Sequence, residues 1–206
     1  KTRTAIAIDV DTSHVKEICQ GVDTTSDTQL LTAIARLRRA TGLAKTTAAA
    51  EHIHTHLTGT GRPIIAWTIH KQVSRDLKTQ LEHLGHTVAV YDGATPNPTR
   101  DQIVARFQAG QIDVLIANIT AAGVGLTLTH ASDAVFVETE WTPALVAQAE
   151  DRIHRISQTC PVTITTLVAA GTLDPIIHRI LAEKIDLLDQ ITPDSDHKVT
   201  TLKTDQ

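Results

Sequence analysis

The densest chemistry in the sequence lies at residues 148–158, Gln-Ala-Glu-Asp-Arg-Ile-His-Arg-Ile-Ser-Gln. On a helix turning about 100° per residue, Gln148, Arg152 and Arg155 stand at i, i+4 and i+7 and share one face. Leu145, Ala149, Ile153 and Ile156 share another, expected to pack on a sheet. Two guanidiniums on one rigid face suit a polyphosphate, because each is permanently charged and offers a planar fork of N–H donors. An arginine delivered to a γ-phosphate from a second body accelerates phosphoryl transfer by about 10³–10⁵. The competing reading is a solvated helix laced by i,i+4 pairs, with Gln148 and Asp151 as partners.

Other segments imitate chemistry without completing it. Gly42-Leu-Ala-Lys45-Thr46 resembles the end of a phosphate loop, but Ala44 stands where glycine must precede the lysine, and a helix rather than a strand comes before it. Gly59-Thr60-Gly61 precedes a strand and reads as a turn. Gly123-Val124-Gly125 follows a strand, yet Leu128 occupies the third glycine position of the dinucleotide fingerprint. Strand 135–137 ends in Glu138, like a metal-binding carboxylate strand with no phosphate loop to serve. His52, His54 and His56 form a cluster in which His52 and His56 stand one helical turn apart; that pair could bind metal, but no third ligand is placed near it and a solvated helix face is expected. Cys19 and Cys160 form no CxxC pair and are expected to be small buried residues of a reducing compartment.

The elements that must position these residues alternate regularly. Strands are expected at 4–10, 64–67, 88–91, 114–117, 134–137 and 162–168. Helices are expected at 28–40 (Leu30, Leu31, Ile34 and Leu37 at helical spacing), 45–57 after a turn at Gly42, 71–84, 99–108, 143–156 and 173–190. Strands alternating with helices give an α/β fold with a parallel sheet and crossovers. Ligands bind such sheets at the carboxyl ends of strands, so the loops to watch are 68–71, 92–98, 118–127 and 138–143.

Composition narrows the classes. A length of 206 residues suits one domain. Aromatics make up 2%, so the core must be aliphatic and an extended base-stacking platform is excluded. The net charge of −4 argues against a basic nucleic-acid coat but allows a local basic groove. No apolar run approaches the ~20 residues of a membrane span, and Asp9 and Asp11 break any secretory signal. The sequence contains no Met, so it is expected to be a piece of something longer.

Three blocks in order carry a family resemblance: Asn118-Ile-Thr-Ala-Ala-Gly-Val-Gly-Leu-Thr127, Glu140-Trp-Thr-Pro143 and Gln148–Gln158. They resemble motifs V and VI of the Swi/Snf-type ATPases, which are superfamily-two DNA translocases. Asp92-Gly-Ala-Thr-Pro96, with Arg100 and Phe107 downstream, resembles the family's Asp-Gly-Ser-Thr block, and Ile64-Ile-Ala-Trp67 resembles motif IV. Thr41-Gly-Leu-Ala-Lys45 is similar to a segment of the annealing-helicase subgroup. The departures are Ser157 for the usual Gly, Thr142 for Asn and Ala94 for Ser.

The resemblance implies a RecA-like parallel sheet flanked by helices, the second of two lobes. Residues 1–62 would form a strand and helical lead-in, 63–190 the helicase C-terminal core, and 191–206 a frayed tail. ATP with Mg²⁺ would bind between the lobes, the ion held mainly by the N-terminal RecA-like lobe of the same parent chain. Double-stranded or branched DNA would lie across both lobes. By position, Arg152 and Arg155 would be the arginine fingers, and Gln148, Gly123, Gly125 and Asp151 would lie near the nucleotide. Thr120, Trp141, Thr95 and Lys71 would meet DNA. No metal site and no membrane are implied, and an intracellular location follows, bacterial nucleoid or nucleus. Two alternatives stay open: a non-catalytic RecA-like docking module, and the lobe of an RNA helicase.

Overall fold

The structure is a computed structural model and describes residues 1–20, 26–121 and 126–191. In chain order the elements are β1 (Thr2–Ile8), α1 (Ser13–Gln20), α2 (Asp27–Ala44), α3 (Thr46–Thr60), β2 (Ile64–Thr68), α4 (Lys71–His83) and β3 (Val88–Tyr91). They continue with α5 (Asn97–Gln108), β4 (Val114–Asn118), β5 (Asp133–Phe136), α6 (Pro143–Glu150), β6 (Thr163–Ala169) and α7 (Asp174–Ile191). The strands form one sheet in the order β1-β6-β5-β2-β4-β3, and every pairing is parallel.

The direction of each crossover dictates where the helices lie. The steps β1→β2 and β2→β3 run one way across the sheet, while β3→β4 and β5→β6 run back. Right-handed connections therefore put α3 and α4 on one face and α5 and α6 on the other. Side-chain alternation along the strands matches this division. Ile64, Ala66, Val114, Ile116 and Val135 pack with Ala49, Ile53, Val73, Leu77 and Leu81 of α3 and α4. Ile65, Trp67, Leu115, Ala134 and Phe136 pack with Phe107, Val146, Ala149 and Ile177 of α5, α6 and α7. With both faces covered, the central strands are buried nearly throughout, and their stretches 64–67, 114–117 and 134–136 read as apolar runs.

Several expectations change. Helix α1 was not visible in the sequence: it is eight residues long and buries Val15 alone. Gly42 lies inside α2 rather than in a turn, and α2 meets α3 at Lys45 with no loop between. Helix α3 runs on to Thr60, where Gly61 stops it in the left-handed region (φ 66°). Leu30 and Leu31 are exposed and Ile34 is half-buried; α2 does bury Leu37, with Ala33 and Ala40 beside it. Both cysteines are exposed, not buried. Among the described residues no helix is long and apolar enough to cross a membrane.

Candidate nucleotide and nucleic-acid interface

The loops that follow β5, β2, β4 and β3 leave one edge of the sheet from four adjacent strands. Trp141, Lys71, Thr120 and Thr95 are therefore arrayed in that order along a single rim. Lys71 is the first residue of α4 and is exposed. Trp141 is 37% exposed, and the Arg38 guanidinium from α2 lies 4.7 Å from its ring centroid. That cation–π contact fixes the indole while leaving an edge open. Arg38 also donates to the Thr139 carbonyl (3.2 Å) and to Glu140 (3.3 Å).

Thr120 and Thr95 have local duties. The Thr120 hydroxyl donates to Asn118 Oδ1 at 2.6 Å, and the same oxygen accepts the amides of Thr120 and Ala121. The Thr95 hydroxyl donates to Asp92 Oδ1 at 3.0 Å, beside the amides of Ala94 and Thr95. Both are Asx turns, in which a short side chain mimics backbone. To bind a phosphate, either hydroxyl must exchange this acceptor. Arg100 braces the second turn by donating to the Asp92 carbonyl while its guanidinium lies 5.3 Å from the Tyr91 ring centroid.

The arginine segment departs from the single helix expected over 143–156. Helix α6 ends at Glu150, and residues 151–157 form turns. The helix breaks where the Arg152 and Ile153 amides take the Ala149 and Glu150 carbonyls, three residues back instead of four, and downstream the Arg152 carbonyl, which a resumed helix would offer to residue 156, accepts from the Leu128 amide at 2.9 Å. Tighter bonds, Ile153 N to Glu150 O and Gln158 N to Arg155 O, close the turns. Ile153 remains buried, but Ile156 is fully exposed and does not join the sheet-facing stripe.

This geometry places Arg152 and Arg155 against the segment that leads out of the β4 loop. Arg155 is half-buried and donates through one terminal nitrogen to the Thr127 hydroxyl (2.9 Å) and through Nε to the Asp151 carbonyl (3.2 Å). Arg152 is buried, at 7% exposure. Gln148 is half-buried on α6, and Asp151 is exposed. Gly123 and Gly125 lie outside the described residues. His154, in the same segment, is held below the ordinary histidine range, by burial first and then by the positive charge of Lys1.

Sequence reasoning missed the groups that build the scaffold. Glu150 is 2% exposed and is clasped by Arg3 (2.6 Å) and Lys1 (2.9 Å) from β1 and its leading residue, 147 or more positions away. Burial would raise its pKa; the hydrogen bonds and charges of Arg3 and Lys1 outweigh burial and hold it below the ordinary value. Lys45, the lysine of the false phosphate loop, is buried and donates to Asp174 (2.6 Å) and the Leu167 carbonyl (3.1 Å). Gln158 staples the turns by donating to the carbonyls of Thr129 and Ala131. The unusual rank of a lysine and a glutamate at core spacing was the available signal for Lys45 and Glu150. Of the histidines, His54 hydrogen-bonds His86 at 2.8 Å. No group of three His, Cys, Asp or Glu side chains that could hold a metal ion occurs among the described residues.

Comparison with known proteins gives concordant results. Residues 44–157 match the family model described as helicase conserved C-terminal domain. The chain is 34% identical over 210 residues to the SWI/SNF-related matrix-associated actin-dependent regulator of chromatin subfamily A-like protein 1 of Xenopus laevis, covering 100% of this chain and 21% of that protein. It is 35% identical over 153 residues to the DNA annealing helicase and endonuclease ZRANB3 of Mus musculus, covering 73% of this chain and 14% of that protein. The chain thus spans about a fifth or less of these relatives' lengths. Among solved structures, the C-terminal domain of the Sulfolobus solfataricus SWI2/SNF2 ATPase aligns with a TM-score of 0.69 at 18% identity, covering 95% of this chain and 91% of that one. The core of the same ATPase in complex with dsDNA aligns with a TM-score of 0.71 at 21% identity, covering 94% and 47%. These two likenesses establish the fold: a RecA-like lobe.

Proposed function

Because the chain belongs to the helicase C-terminal domain family, in its Swi/Snf-type superfamily-two branch, we propose that it works as the second lobe of an ATP-driven translocase on double-stranded DNA. In this reading residues 1–62 are the lead-in and 63–190 the working core, set inside the cell against a first RecA-like lobe of the parent chain. The observation that carries it is the docking of the Arg152–Arg155 segment onto Thr127 and Leu128, which presents permanent positive charge on a braced turn beside the β4 loop.

The donor set fits a nucleotide polyphosphate: guanidinium forks pair with phosphate oxygens, and neither arginine can lose its proton at working pH. Arg155, partly exposed and held by a neutral hydroxyl, can exchange Thr127 for a phosphate oxygen at small cost. Buried Arg152 adds fixed positive potential behind it, with Gln148 on the adjoining turn and Asp151, Gly123 and Gly125 bordering the nucleotide. When bound, ATP with Mg²⁺ supplies the anhydride to be cleaved, the ion resting mainly on the first lobe. Preorganised charge aimed at the transferring phosphoryl group costs no reorganisation at the moment of reaction. Along the rim, Lys71, Thr95, Thr120 and Trp141 form the DNA track. Opening and closing of the two lobes would then move this track relative to the other.

The test is Arg155→Ala in the parent chain carrying both lobes. DNA-stimulated ATP turnover should fall by about 10³ or more, the scale of a lost arginine finger, while duplex affinity without nucleotide stays within about twofold. Unchanged turnover would reject the finger. Stimulation by RNA in place of DNA would favour an RNA helicase lobe, and parent protein with no turnover at all would favour a docking module.

A further inference from the structure

Glu138 follows the apolar run of β5 and the neighbouring Val137 and is 5% exposed, and its carboxylate hydrogen-bonds one short segment. Oε2 accepts the amides of Ile69 (2.8 Å) and His70 (2.9 Å), and Oε1 accepts His70 Nδ1 (2.6 Å). From the other side, Asn118 Nδ2 donates to the Ile69 carbonyl at 2.6 Å. The β2–α4 loop is thus gripped at both backbone groups of Ile69, by the ends of the two strands flanking β2. Gly42 of α2 completes the seat. A Cβ there would collide with Glu138 Oε1, reach 2.9 Å from its Cδ and 3.0 Å from Val73 Cγ2. Glycine in mid-helix costs about 1 kcal/mol relative to alanine, so this position trades helix propensity for room.

We propose that Glu138, seated by Gly42, is a positioning residue that holds the β2–α4 loop so that Lys71, the next residue after His70, meets a DNA phosphate. The proposal rests on the DNA-track reading of Lys71. It gives a role to two residues the nucleotide chemistry leaves unused: the glycine of the false phosphate loop and the carboxylate of the false metal strand. The same carboxylate joins the separate pieces of the rim. Its backbone neighbours Thr139 and Glu140 are held by Arg38, which clasps Trp141, and its loop is held by Asn118, which also shapes the turn of Thr120.

The experiment uses the 206-residue chain with a fluorescent 20-base-pair duplex as probe, alongside amide exchange. Glu138→Gln keeps the shape and replaces one acceptor by a donor; Gly42→Ala displaces the carboxylate from the opposite side. In both, the Ile69 and His70 amides should exchange at least tenfold faster while Ala117 in β4 stays protected. Each variant, and Lys71→Ala, should weaken duplex binding about eightfold at 0.1 M salt and lower the salt slope by about 0.9, the value of one phosphate contact. Combining Glu138→Gln with Lys71→Ala should add nothing further. Retained protection of Ile69 and His70 in both variants would overturn the proposal, as would losses of affinity that multiply in the double variant. If protection is lost but Lys71→Ala leaves binding unchanged, loop positioning is supported and the DNA reading of Lys71 falls instead.

Discussion

Lys45 shows how a residue's surroundings decide its chemistry. Its sequence neighbours suggest a phosphate loop, but its ammonium is buried against Asp174 and the Leu167 carbonyl, where no phosphate can enter. It ties the α2–α3 junction to the end of β6 and the start of α7. Removing one partner of a buried pair leaves the other charge desolvated and uncompensated. Lys45→Ala should therefore cost about 3–5 kcal/mol. That corresponds to a fall of roughly 10 °C in melting temperature for a domain of this size, read by calorimetry. Lys45→Met with Asp174→Asn should recover part of the loss, because volume is kept and no lone carboxylate remains. A wild-type melting curve for Lys45→Ala would mean the ion pair contributes nothing.

At the scale of elements, the α6 segment depends on a strand from the opposite end of the chain. Arg3 and Lys1 neutralise Glu150 at the last residue of α6, two positions before Arg152. A folded-state carboxylate pKa below its unfolded value contributes stability that is complete above the unfolded pKa, about 4.3, and is lost as pH falls through the lower folded value. In Arg3→Ala, burial is less opposed and the Glu150 pKa rises. The acid unfolding midpoint should therefore move to higher pH, and stability at pH 7 should fall by about 3 kcal/mol. Circular dichroism followed from pH 7 to pH 2 measures both, and coincident acid transitions for Arg3→Ala and wild type would contradict the assignment.

For the whole molecule, histidine burial ties stability to pH. His52, His86 and His178 are all held below the ordinary histidine value, in each case by burial first. For His86 the nearby His54 adds to the effect and Asp113 opposes it. The His54–His86 hydrogen bond also requires one ring to present a lone pair. The unfolded chain takes up protons near pH 6.5, whereas the folded chain resists until lower pH. Stability from these groups is complete above about pH 6.5 and declines below it. The urea midpoint should be lower at pH 5.5 than at pH 7.5, and equal midpoints would show that the histidines do not matter.

Local pattern along the chain is enough to read the alternation of strands and helices, the parallel sheet, the order of the motif blocks and the family. Each of these rests on local pattern: apolar runs bounded by turn residues, and short strings such as Gln148–Gln158 that survive any change of context. The tertiary structure alone decided the strand order, the early end of α6 and the exposure of Ile156, Leu30, Leu31 and both cysteines. It also decided the partners of Glu138, Glu150 and Lys45. The reason is physical. Helix α6 breaks where the Arg152 and Ile153 amides bond three residues back, and the turn that follows is held by a donor no local pattern shows: the amide that takes the Arg152 carbonyl belongs to Leu128, 24 positions earlier. Likewise, a charged side chain is buried only where distant residues compensate it, and no periodicity in the sequence encodes which residues those will be.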